Sequence, residues 1–190
     1  MALIDRVKNI LLTPKTEWPV IAGETPTVQS LYVGYVLILA AIGPIAIAVR
    51  LGLFGMGIGV AAISYVIGLI MIYLLAWIVD ALAPTFGGEK NFIRSLQLTA
   101  YSFTAAWVAG IFHLIPFIGG LLALLAAIYS FYTFFLGVPI LKKCPQDKAA
   151  VYTIVVVLCA IVLGAVLSYV LFSSLTGGGM MGTMGDGMMR

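Results

Sequence analysis

Five long apolar stretches, at about 31–50, 57–83, 95–114, 116–141 and 149–173, constrain this chain more than any other feature. Each is near or above the ~20 residues an α-helix needs to cross a bilayer's hydrocarbon core. Of the 190 residues, 63% are hydrophobic and only 9% charged, where soluble domains carry about 25% charged residues. A chain of this length has no aqueous core large enough to hide so much apolar surface. The expected fold is therefore an all-α integral membrane protein with five transmembrane helices. Residues 1–30 form a segment before the membrane domain of 31–173, and a Gly- and Met-rich tail at 174–190 is expected to be disordered.

Orientation follows from the basic residues. With five spans, Arg6, Lys8 and Lys15 share one side with Lys90, Arg94, Lys142, Lys143 and Lys148, eight in all. Arg50 and Arg190 are alone on the other. The positive-inside rule puts the N-terminus in the cytoplasm and the C-terminus outside. The formal charge of +3 is spread along the chain, which gives no basic patch for nucleic acid.

The opening MALIDRVKNILLTP lacks the long uncharged core of a signal peptide. Leu3, Ile4, Val7, Ile10 and Leu11 fall on one helical face, and Asp5, Arg6, Lys8 and Asn9 on the other. Such a helix either lies in the membrane interface or packs on the protein's own loops. Trp18 sits where an indole commonly anchors among headgroups. Arg6, Lys8, Trp18, Lys142, Lys143 and Lys148 are the expected contacts to the interface and to anionic lipid. In the first span, Pro44 should introduce a kink.

Between the second and third spans lies a polar island, DALAPTFGGEKNFIR, from Asp80 to Arg94. Pro84 stops a helix and Gly87–Gly88 allow a reversal. Asp80, Glu89, Lys90 and Arg94, with His113 from the next loop, form the candidate functional polar site. A carboxylate beside a span often belongs to an ion or proton pathway, but Asp80 also has Lys90 and Arg94 within reach as ion-pair partners. His113 has a pKa suited to proton switching. Cys144 and Cys159 occupy unlike settings, which argues against a disulfide. Met180, Met181, Met184, Met188 and Met189 are soft donors of the kind that suits Cu(I), although a flexible tail explains them equally well. No Ser/His/Asp, HExxH or paired-carboxylate pattern appears, so the chain reads as non-enzymatic, without a cofactor.

DRVKNILLTPKTEWPVIA, RSLQLTAYSFTAAWVAGIFHLIP and YSFYTFFLGVPILKKCPQDKAAVYTIVVV, taken in order, resemble the Yip-one domain family. These multi-pass membrane proteins are named for interaction with Ypt/Rab GTPases. The resemblance runs from about residue 5 to 172 and implies five spans with a cytoplasmic N-terminus. The chain looks like the compact bacterial form, without the long cytoplasmic N-terminal region of eukaryotic relatives. That implies a bacterial inner membrane protein. Two functions follow as expectations: a scaffold that organises partners, a second copy or lipids, and a small ion, proton or solute transporter using Asp80 and His113.

Overall fold

The computed structural model describes residues 2–52, 56–115 and 118–185, with side chains up to residue 169. The regular elements among the described residues are all helices, with no strand among them. Two short helices come first, α1 (Leu3–Leu12) and α2 (Pro14–Ala22). Thr13–Pro14 separates them, because a proline cannot continue α1 but suits the first position of α2.

The first apolar run is built from pieces: α3 (Val28–Leu31), a π-helical turn (Tyr32–Val36), α4 (Leu37–Ala40) and α5 (Ile42–Leu51). Thr27 and Ser30 form a capping box at its start. The break at Ala41 is the kink expected of Pro44, whose ring cannot donate to the Ala40 carbonyl one turn back. Four stretches, Val28–Leu51, Gly57–Phe86, Ile118–Leu141 and Gln146–Tyr169, are long and apolar enough to cross a membrane. The second comprises α6 (Met56–Leu82) and a 3-10 turn (Ala83–Phe86). The last two belong to α9 (Ile118–Leu141) and α10 (Gln146–Gly185).

The run at 95–114 is different. It divides into α7 (Phe92–Ser102), α8 (Thr104–Ala109) and a 3-10 turn (Gly110–Leu114). Every residue from Ser95 to Ser102 is buried. This segment is the axis of the bundle, flanked by α6 and α9. Its polar side chains Ser95, Gln97, Thr99 and Thr104 are covered by protein. Thr99, for example, donates to the Ser95 carbonyl at 2.8 Å. At the far end Gly110 crosses Gly43 so closely that an added Cβ would lie 2.8 Å from the Gly43 Cα. Outward-facing Ile58, Val66, Leu121, Leu124, Ile154 and Leu158 are exposed and form an apolar belt.

The N-terminal pair packs on the bundle. Trp18 and Ile21 are fully buried, and the Trp18 indole N–H donates to the Thr133 carbonyl of α9 at 3.0 Å. The Tyr129 hydroxyl donates to the Leu11 carbonyl at 2.7 Å. Trp18 is thus an internal bolt and not a headgroup anchor. Arg6, expected on the polar face of α1, is also buried, while Ile4 and Leu12 face outward. The backbone of α10 continues as helix to Gly185, into the stretch expected to be disordered. Residues 53–55 and 116–117 and the tail methionine side chains lie outside the described residues.

Candidate functional site

The polar island folds into a clasp. After α6 the chain turns through Gly87, whose φ of 77° is left-handed and suits a residue without Cβ. Asn91 caps α7 by accepting from the Arg94 N–H at 3.1 Å. Asp80 closes the reversal. Its Oδ1 accepts from the Asn91 N–H at 2.7 Å and the Ser95 hydroxyl at 3.0 Å. The third donor comes from the end of α9, where the Lys142 ammonium lies 2.9 Å from the same oxygen.

Lys142 was expected at the headgroups, yet its side chain is 0% exposed. Its three protons have three acceptors: Asp80 Oδ1, Ser95 Oγ at 2.7 Å and the Asn91 carbonyl at 3.2 Å. A buried ammonium is tolerated only when matched in this way. Burial pulls the ammonium below lysine's ordinary range, against the opposing pull of Asp80 and Glu89. The Lys142 carbonyl also accepts from the Glu89 N–H at 2.8 Å. One residue therefore holds both limbs of the reversal.

The other candidates disperse. Glu89 pairs with Lys143 at 2.9 Å, with both side chains mostly exposed. Lys90 is exposed, as are Lys8 and Lys148. Arg94 does not reach Asp80. Its Nη1 donates to the Glu24 carbonyl at 2.9 Å, the Ile21 carbonyl at 3.3 Å and Gln97 Oε1 at 3.1 Å. It thereby caps the end of α2, where orphan carbonyls favour a cation. His113 is brought nowhere near this end. Its Nδ1 contacts the Gly110 carbonyl at 2.7 Å, and its own carbonyl lies 3.5 Å from Arg50 Nη1. Eighteen residues of mainly helical rise, roughly 27 Å, separate it from Ser95. Asp80 and His113 cannot form one site.

A second polar cluster escaped the sequence reading. Arg6 bridges Glu17 and Glu24, Asn9 donates to Glu17 at 3.1 Å, and the guanidinium lies 5.4 Å from the Tyr101 ring centre. Tyr101 meets Tyr35 edge-on, and the Tyr35 and Thr104 hydroxyls lie 2.6 Å apart. A polar cavity of about 600 Å³ opens between these groups, lined by Arg6, Glu24, Ser30, Tyr35 and Tyr101. It borders the π-helical turn, a feature common near functional sites. Arg6 and Glu17 lie eleven residues apart, too far to pair along one helix. Only the turn at Thr13–Pro14 brings them together.

Cys144 is buried, and its thiol lies 3.1 Å from the Phe86 carbonyl. Burial raises its pKa, Asp147 adds to the rise and Lys148 opposes it. Thiolate is therefore scarce near neutrality. Maleimide labelling of Cys144 at pH 7.5 is expected to run at least about ten-fold slower than for an exposed thiol. Labelling at the exposed-thiol rate would contradict the burial.

The apolar belt, the all-helical bundle and the charged clasp at one end define an integral membrane protein. The model of the Yip1 domain matches residues 8–181. The chain belongs to the Yip1 domain family. Curated proteins and solved structures gave no significant match.

Proposed function

We propose that the chain is a non-enzymatic scaffold of the bacterial inner membrane, with its charged end serving as a preformed platform for a partner protein, a second copy or anionic lipid. In this reading the α7–α8 segment is a further crossing, five in all, so that the termini lie on opposite sides, the N-terminus in the cytoplasm and the C-terminus outside. The uneven sharing of Lys and Arg supports that topology.

One observation carries the reading: the buried charges at this end are matched within the protein. Asp80 is matched by Lys142, and Arg6 by Glu17 and Glu24. Groups held this way fix the shape of a surface and are poorly placed to pass a proton along. The Yip1 membership agrees, since the family takes its name from protein partners.

A transporter reading draws on the same Asp80–Lys142 pair, because ion pairs in spans often mark pathways. Proton and cation flux in liposomes separates the two. Wild-type vesicles are expected to leak no faster than protein-free ones. Flux above that level which Asp80→Asn abolishes would overturn the scaffold.

A further inference from the structure

We propose that the groove between α2, α9 and the start of α10 binds one anionic phospholipid, with its phosphate at Lys15 and an acyl chain along α9. Two open cavities, of about 600 Å³ and 340 Å³, share Lys15 in their walls. The larger is otherwise lined by Phe135, Leu136, Pro139 and Ile140 of α9, with Gln146 and Ala149 of α10. The smaller is lined by Leu12, Thr13, Thr16, Tyr129 and Tyr132. Together they make a furrow with mostly apolar walls and one cation, Lys15.

Charge complementarity selects the occupant. Arg6, Arg94, Lys142 and Lys143 are all engaged within the protein. Among the described residues, Lys15 has no ion-pair or hydrogen-bond partner, and neither do the Tyr132 hydroxyl and the Gln146 amide. A phosphate on Lys15 therefore meets attraction without displacing an internal pair.

Length and setting select a lipid over a soluble anion. From Tyr129 to Ile140 the α9 face runs about 16 Å at 1.5 Å per residue, close to half of a ~30 Å hydrocarbon core. The furrow lies on a membrane-crossing helix whose exposed Ile128, Tyr132 and Phe135 continue the apolar belt. Lys15 lies where the two cavities meet, so a phosphate held there has the mostly apolar wall of α9 to either side for its acyl chains.

The inference deepens the lipid half of the scaffold reading, and its test is independent of the flux assay. The full chain would be purified from bilayers of equal phosphatidylglycerol and phosphatidylcholine, and retained lipid counted by native mass spectrometry. Wild type is expected to retain phosphatidylglycerol over phosphatidylcholine by about five-fold at one site. Lys15→Ala should abolish the preference, and Leu136→Trp, which fills the furrow, should abolish retention of both lipids. Lys8→Ala, an exposed cation outside the furrow, should leave both unchanged. An undiminished preference in Lys15→Ala, or equal losses in Lys15→Ala and Lys8→Ala, would overturn the site. Competition by free inorganic phosphate without lipid retention would show an anion site that does not take lipid, and would also overturn it.

Discussion

Asp80→Ala is expected to lower the unfolding free energy by about 3–5 kcal/mol, the range for breaking a buried ion pair from one side. The asymmetry of burial decides which side matters. The Lys142 side chain is 0% exposed and Asp80 is 19% exposed. Removing the carboxylate strands an ammonium that cannot reach water. Lys142→Met is expected to cost less, because Asp80 keeps the Asn91 N–H and the Ser95 hydroxyl. The double variant Asp80→Leu with Lys142→Met should regain most of the loss, since apolar groups of similar volume replace buried pairs well. Glu89→Gln, at the exposed pair with Lys143, should stay within about 1 kcal/mol of wild type. Reversible unfolding in mixed micelles measures all four. If Asp80→Ala lost under about 1 kcal/mol, the pair would not be the clasp described here.

Trp18→Ala should cost a similar amount, about 3–5 kcal/mol, the usual range for emptying a buried aromatic site. The indole is fully buried and also supplies the hydrogen bond to Thr133. Its neighbour across the interface is Gly137. A Cβ there would lie 2.5 Å from Leu98 Cδ1 and 2.8 Å from Trp18 Cε2. The ring cannot give way, so Gly137→Ala overpacks the joint at about 1–3 kcal/mol. The two changes act on one contact and should not add. The local readout is trypsin cleavage after Lys15, which should accelerate in both variants as α2 undocks. Unchanged cleavage, with the bundle intact, would mean that Trp18 does not hold α2 to α9.

Much of this architecture is visible in the residues alone. Apolar run length locates the four helices long enough to cross a membrane, and Pro44 announces the break at Ala41. Asp80 to Arg94 is where two helices reverse. The pattern fails where the neighbours come from afar. Hydropathy separates apolar from polar surroundings but does not distinguish lipid from protein. Ser95 to Ser102 therefore read like any other span, although they form the buried axis. Arg6 looks like a solvated residue on an amphipathic helix until α2 folds back and presents Glu17. Lys142 sits in a KK pair that suggests a headgroup contact. Only its position at the end of α9, opposite Asp80, reveals a counter-ion. The partner of a charge is set by how elements meet, and local spacing carries no record of that.

The pairing of Asp80 with Lys142 spans 62 residues of chain. At about 5–20 residues per second of synthesis, roughly 3–12 seconds pass between the appearance of the carboxylate and that of its partner. During that interval the hairpin of α6 and α7 has the Asn91 and Ser95 hydrogen bonds to Asp80 but not the ammonium that completes the clasp. The clasp is complete only once α9 has followed and Lys142, just past its end, has arrived. Lys142 thus closes last, on a hairpin already held at Asn91 and Ser95, and fastens that early pair to the late helix.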